Sequence, residues 1–379
     1  MMRASSTSNH NRLREATRVV IKIGSALLVD QTSGAIRRDW LASIATDVMA
    51  MRSVGQEVLI VSSGAIAVGR RHLKFPSGTL KLEESQAAAA CGMMRLAHAY
   101  EECLAAVGGT VAQVLLTLDD SENRRRYINA RNTMATLLSA GAIPLINEND
   151  TVATDEIRFG DNDRLAARVA AMVGADALVL LSSIDGLYSA DPSQDAAAIP
   201  IPEVFEITKD IEAMAGSTGT QDGSGGMVTK LVAAKIAMGA GCHMVIADGR
   251  SLNPMQALLD GVPCTWFISK ANPRAARKDW IAGSLKPQGV VILDDGALGA
   301  LQAGKSLLPA GVVGVEGQFQ RGDAVVVKDR NGVERARGLV AYDSEASAII
   351  MGRKTREIEG LLGYRGRDEM IHRDDLVLT

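Results

Sequence analysis

The sequence predicts an α/β protein built around a mainly parallel sheet, with a small β-rich domain at its carboxyl end. Three observations carry this expectation. Between Thr17 and about Phe267, short β-branched runs alternate with longer alanine- and leucine-rich segments at helical spacing, the pattern of parallel strands joined by crossover helices. After Lys270 the chain becomes glycine-punctuated and strand-like. With 379 residues, 47% of them hydrophobic, the chain is long enough to bury a full core and to divide into two domains.

Taken in order, Arg18 to Ile23 opens the sheet, and Glu57 to Ser62, Thr110 to Leu116, Ile143 to Ile146, Ala177 to Leu181 and His243 to Ala247 continue it. Helices are expected at Trp40 to Arg52, Gln86 to Ala106, Arg124 to Ser139, Asp163 to Val173 and Met227 to Met238. Residues 1–16 are polar, rich in Ser and Arg, and free of acid before Glu15. They are too short for a transit peptide and lack its apolar face, so a disordered tail is expected. The α/β domain then spans 17–270. The basic, proline-containing stretch from Asn272 to Trp280 reads as part of a linker over 271–287. Strand-like segments at Gly289 to Leu293, Ala324 to Lys328 and Gly338 to Tyr342 place the β-rich domain at 288–366, with a C-terminal tail over 367–379.

A formal net charge of −3 and a pI near 6.0 give no global reason for binding nucleic acid or anionic membrane. Any RNA contact would be local; Arg274, Arg277 and Lys278 are its best support, and a solvated helix face explains them equally well. The four cysteines, Cys91, Cys103, Cys242 and Cys264, form no C-x-x-C pair, which indicates neither a zinc site nor a disulfide framework. No apolar run reaches membrane-spanning length, since even Ala166 to Leu181 contains Arg168 and Asp176. A soluble cytoplasmic protein is expected.

Gly299 to Ser306 matches the phosphate-loop pattern G-x-x-x-x-G-K-[ST] letter for letter. That loop works only when its glycines follow a strand and its Lys-Ser opens a helix. Here the order is inverted. Ala297 to Ala303 read as helix, Gly304 as its stop, and Pro309 blocks a helix beyond Ser306, so the match is read as accidental.

Phosphoryl transfer needs phosphate-binding amides, cations for the developing charge and anchors for the acceptor, and four units supply these types. In Val19-Val-Ile-Lys22-Ile-Gly24-Ser25 a lysine interrupts an apolar strand, which is unfavourable unless an anion meets it; an edge-strand lysine facing solvent is the alternative. Val58 to Ile66 runs from a strand through Ser62-Ser63-Gly64 into a helix, whose N-terminal amides form an anion site, although tight packing also calls for small residues there. The third unit is the densest polar region, Asn147-Glu-Asn-Asp150 followed by Gly160-Asp161-Asn162-Asp163-Arg164. Asp and Asn in such loops can grip an α-amino group and an α-carboxylate respectively, while an acidic turn with Asn162 as helix cap is the plainer reading. The fourth, Gly223-Ser-Gly-Gly-Met-Val-Thr-Lys230, allows close backbone approach to phosphates; a flexible linker would explain the glycines but not the lysine.

In this order, and together with the C-terminal region, the four units closely resemble the amino-acid kinase family, in particular its glutamate-phosphorylating members with an appended PUA domain. The resemblance spans nearly the whole chain beyond the N-terminal tail. It implies a three-layer sandwich around the mainly parallel sheet, and Mg²⁺- and ATP-dependent phosphorylation of the glutamate side-chain carboxylate. Free proline as inhibitor and a homo-oligomer are implied as well, and RNA binding by the PUA region gains no support. Carried over by motif, Lys22 and Lys230 neutralise the transferring phosphoryl group and Asp163 positions both; Ser63, Asp150, Asp161 and Asn162 bind glutamate. Besides Lys22, nucleotide contacts fall to Ser182 and Ser183 and to Ser224, Gly225, Gly226, Met227, Val228, Thr229 and Lys230, and no residue is assigned to a metal. Ser182-Ser183 departs from the family's frequent Thr-Asp, which puts one polar nucleotide contact in doubt. Acetylglutamate, aspartate, UMP and carbamate kinases share the fold and the lysine logic; the Asp161-Asn162-Asp163 cluster and the C-terminal domain argue for glutamate.

Overall fold

A computed structural model describes residues 6–30, 32–76, 78–153, 161–215, 226–283 and 286–379, without the side chains of residues 6–10 and 161. The chain divides into two compact units, Met1–Glu122 with Ala130–Pro273, and Asn123–Asn129 with Arg274–Thr379.

The first unit carries strands β1 (Arg18–Ile23), β2 (Glu57–Ser62), β3 (Thr110–Leu116), β4 (Ala142–Glu148), β5 (Ala177–Ser182), β6 (Leu187–Tyr188), β7 (Pro200–Ile201), β8 (Glu203–Val204), β9 (His243–Asp248) and β10 (Cys264–Phe267). Its helices are α1 (Ser6–Glu15), α2 (Ser25–Leu28), α3 (Arg38–Ser53), α4 (Ala65–His72), α5 (Leu82–Ala105), α6 (Leu118–Glu122), α7 (Arg124–Ser139), α8 (Asp161–Val173), α9 (Lys209–Met214), α10 (Met227–Gly239) and α11 (Pro254–Asp260), with α7 shared with the second unit. The main sheet has the order β3-β4-β2-β1-β5-β9-β10-β8, and β1, β2, β3, β4, β5 and β9 are all parallel. The edge pair β10 and β8, parallel to each other, runs antiparallel to these, through the pairing of β10 with β9.

Because β1, β2, β5 and β9 are covered on both faces, they read as nearly unbroken apolar runs, and alternate residues face opposite helical layers. Val19, Ile21 and Ile23 join Leu13, Leu27, Trp40, Ile44 and Leu96 in one core, on the side of α1, α2, α3, α5 and α11. The other side of β1, carrying Val20 and Lys22, is covered by α8, against which α10 packs. This is a three-layer sandwich. Pro144 sits inside β4 without an N–H to donate, and the β2–β4 pairing begins one residue later, at Ile60 with Leu145.

Several expectations need correction. Residues 1–16 are not wholly a disordered tail: Ser6–Glu15 is helical, Leu13 and Ala16 are buried in the main core, and Arg12 pairs with Glu203 at 3.0 Å. An apolar residue among polar ones gives no periodic signal, and its burial depends on distant strands. The proposed linker contains helix α12 (Pro273–Gly283), whose Ile281 packs with Ala324 and Leu339 of the second unit. The C-terminal tail is likewise structured: Met370 and Ile371 are buried, and β15 (Leu376–Leu378) closes the second sheet.

That sheet also contains β11 (Gly289–Leu293), β12 (Val312–Gly317), β13 (Ala324–Lys328) and β14 (Glu334–Leu339), in the order β12-β11-β13-β14-β15. Around it lie α13 (Asp295–Gln302), α14 (Ser344–Ile350) and α15 (Ile358–Leu362), over a core that includes Val291, Leu293, Phe319, Val325 and Val327. Asp294 caps α13 by accepting the Ala297 N–H at 2.7 Å, and the helix ends before Gly304, whose φ of +73° is left-handed. Lys305 and Ser306 therefore trail a helix instead of opening one, and the phosphate-loop match is accidental in structure as in the sequence reading.

Candidate active site

Parallel strands place their carboxyl ends along one edge, where open α/β sheets bind ligands. In this sheet Ile23 is in register with Ser62 and Leu181, and Ser182 with Asp248, so the first, second and fifth strands all deliver their motifs there. Lys22 is the penultimate residue of β1, which has a paired neighbour on each side. The edge-strand alternative is thereby excluded. The lysine is only 8% exposed, and its ammonium finds its anion on α8, the helix that covers this face of β1: Nζ lies 2.6 Å from Oδ1 of Asp163.

Asp163 sits in the first turn of α8, fully buried at 0% exposure. Its second oxygen, Oδ2, receives Lys230 Nζ at 3.1 Å and the Thr229 hydroxyl at 3.1 Å, both from the first turn of α10. Burial by itself would raise the Asp163 pKa, but the two ammoniums outweigh it and hold the carboxyl below its ordinary value. Burial lowers the Lys230 pKa, and the nearby Lys22 charge works in the same direction against the attraction of Asp163. Among the described residues two cations face one carboxylate here, an arrangement that favours an incoming anion.

A second group adjoins it. Asn162, the residue before Asp163, lies inside α8 rather than ahead of it, and its side-chain amide donates to Ser63 Oγ at 2.9 Å and to the Ser62 carbonyl at 3.2 Å. Gly64, the N-cap of α4, has φ +98°, a left-handed turn that lets the chain leave β2 and enter the helix directly after Ser63. Asp150 follows β4 in a turn, 7% exposed, and among the described residues no side chain or N–H donates to its carboxylate. Burial pushes its pKa up to about 6.

The residues expected at the nucleotide are placed differently. Ser182 ends β5 and accepts the Gly249 N–H at 2.8 Å through its carbonyl, while Ser183 is exposed; neither hydrogen-bonds to the lysine cluster among the described residues. Gly226 caps α10, and Met227, Val228, Thr229 and Lys230 form its first turn. Ser224 and Gly225, and the side chain of Asp161, lie outside the described residues.

Sequence reading named Ser62 only within the turn after β2, without a role, and passed over Tyr100. Tyr100, on the apolar face of α5, is 1% exposed with a hydroxyl that has no hydrogen-bond partner among the described residues. Burial raises its pKa, and the Ser62 hydroxyl beside it acts in the opposite direction. Nothing in a helical repeat of apolar residues distinguishes a tyrosine whose hydroxyl is buried.

The chain belongs to the amino acid kinase family, whose sequence profile matches residues 17–248, and it is a kinase of that family. A PUA domain profile matches residues 289–362. Its curated relatives include the glutamate 5-kinase of Paramagnetospirillum magneticum, 62% identical over 366 residues, 97% of this chain and 99% of that one. The glutamate 5-kinase of Rhodospirillum rubrum is 59% identical over 359 residues, 95% of this chain and 96% of that one. Among solved structures, UMP kinase from Bacillus anthracis aligns over 68% of this chain and 97% of its own with a TM-score of 0.48 at 16% identity.

Proposed function

We propose that this kinase transfers the γ-phosphoryl group of ATP to the side-chain carboxylate of L-glutamate, giving ADP and L-glutamyl 5-phosphate. The observation that carries the reading is the buried Lys22–Asp163–Lys230 cluster. The shared name of the relatives supports glutamate as the acceptor.

In the reaction, one carboxylate oxygen of glutamate attacks the γ-phosphorus while the bond from phosphorus to the β,γ-bridging oxygen breaks, its electron pair leaving on ADP. The acceptor is already ionised at neutral pH, so the step has no proton to move and needs no general base. Asp163 suits this, since both its oxygens are engaged by lysines and it acts as their organiser. Lys22 and Lys230 meet the charge that spreads over the transferring group, in a buried setting where such contacts are strong.

Asp150 receives the α-ammonium of glutamate, which lowers its raised pKa on binding, and Asn162 with Ser63 and the amides opening α4 receives the α-carboxylate. Asp161 completes the acceptor site. The nucleotide lies against Ser182, Ser183 and the segment from Ser224 to Lys230. A Mg²⁺ accompanying ATP would, when bound, neutralise charge on the phosphates. By the family resemblance the reaction is the first step of proline biosynthesis, in the cytoplasm, with free proline as feedback inhibitor and a homo-oligomer as the working assembly.

The test is chemical. Glutamate, Mg-ATP and hydroxylamine should yield ADP and an equal amount of γ-glutamyl hydroxamate, because acyl phosphates acylate hydroxylamine and phosphate esters do not. ADP release without hydroxamate would point to an alcohol or phosphate acceptor and end this reading.

A further inference from the structure

We infer that Gln86 of helix α5 is a positioning residue for the acceptor, holding the turn that carries Asp150. The inference rests on the assignment of Asp150 to glutamate above and adds a residue outside the polar motifs. Along α5, Ala89, Met93, Leu96 and Tyr100 are buried at successive steps of three and four residues, and Gln86 falls three residues before Ala89 on the same stripe. That position calls for an apolar side chain, and the sequence places an amide there. The amide has a specific partner: Nε2 donates to the Ala153 carbonyl at 3.2 Å.

Ala153 closes the turn that follows β4. At its start the Asn149 N–H donates to the Leu116 carbonyl at the end of β3 at 2.8 Å, and the Val152 and Ala153 N–H groups both return to the Asn149 carbonyl at 3.1 Å. Asp150 lies between these ends. Its buried carboxylate receives no donor of its own among the described residues, so its direction depends on the backbone that carries it. Leu116 anchors one end of that backbone and Gln86 the other; among the described residues no other group donates to the Ala153 carbonyl. The helix that delivers Gln86 is itself fixed. Glu84 accepts the Lys81 N–H at 2.8 Å where α5 begins, and a Cβ on Gly92 would fall 1.8 Å from the Ala65 carbonyl, so α5 touches α4 backbone to backbone. Because α4 opens directly after Ser63 and Gly64, one helix contacts both loops assigned to the acceptor. Gln86 acts on the substrate through Asp150, as a support that keeps a binding group in its productive place.

The experiment is steady-state kinetics of the full-length Gln86→Met and Gln86→Leu variants with hydroxamate detection, after thermal unfolding has shown which are folded. Both replacements suit a helix and its apolar stripe, and neither can donate to a carbonyl. The expected result is a glutamate KM raised roughly three- to thirtyfold in each, with the ATP KM within about twofold of the parent. In an Asp150→Asn background Gln86→Met should add little, since both act on one contact. A glutamate KM within about twofold of the parent in either folded variant, equal rises for glutamate and ATP, or full additivity with Asp150→Asn would overturn the inference. Loss of folding in both variants would overturn it too, by making Gln86 a residue of the fold. Hydroxamate formation by the parent enzyme, and the glutamate KM of Asp150→Asn alone, report separately on the acceptor assignment, so the two ideas fail by different readouts.

Discussion

Lys22 and Lys230 grip opposite oxygens of a single carboxylate, 2.6 Å from Oδ1 and 3.1 Å from Oδ2 of Asp163. One lysine comes from the central strand and the other from the first turn of α10, so neither ammonium is placed by its own element alone. Asp163 fixes their separation, and in the proposed reaction the positive charge of the pair meets the phosphoryl group.

Replacing either lysine should act on the chemical step. Lys22→Ala and Lys230→Ala are each expected to lower kcat by at least about 10²-fold with a much smaller change in glutamate KM, because a preorganised cation matters most in the transition state. Initial-rate kinetics with ADP detection check this, and a near-normal kcat in either variant removes that lysine from the mechanism.

Removing the carboxylate should affect stability as well as rate. Asp163→Asn leaves two buried ammoniums facing each other and is expected to destabilise the protein by on the order of 3–5 kcal/mol, with kcat lost. Adding Lys22→Met should restore part of the stability and none of the activity. Urea unfolding of the single and double variants measures the first, and the hydroxamate assay the second.

Asp150 gives a pH dependence whose sign is fixed by its raised pKa. The folded state holds the proton up to about pH 6, above the unfolded value, so its contribution to stability is present at low pH and is lost as pH rises through about 6. Asp150→Asn should therefore stabilise the free enzyme at pH 8 by roughly 2–3 kcal/mol and change little below pH 4. Acceptor binding runs the other way: the ionised form pairs with an ammonium, so the parent's glutamate KM should climb below about pH 6. Asp150→Asn and Asn162→Ala should both raise glutamate KM far more than ATP KM at pH 8. The reverse pattern would move these loops to the nucleotide.

Lys305→Ala should leave ATP KM and kcat within about twofold of the parent, since Lys305 follows the left-handed Gly304 at the end of α13 and so cannot lead a phosphate-binding helix. Loss of ATP binding in a folded Lys305→Ala protein would place the nucleotide in the second unit.

By itself the sequence determined the α/β class, the order of the long elements and the polar motifs at strand ends. These are local properties: an apolar run of five or six residues, or a helical repeat over a dozen, shows the same pattern whatever packs against it. Strands as brief as Glu203–Val204, and Cys264–Phe267, were not legible because so few residues establish no period. The tertiary structure alone decided where each element lies in the sheet. Strand order made β1 central and buried Lys22, which its own segment could equally have left on an edge. The packing of α8 and α10 joined Asp163 to both lysines, and turned Asn162 toward Ser62 and Ser63 instead of a helix cap. The same long-range packing ordered Leu13 and α12, where local composition pointed to a tail and a linker. A charge or hydroxyl is stable in a core only through partners brought from elsewhere in the chain, and which partners arrive is a property of the fold.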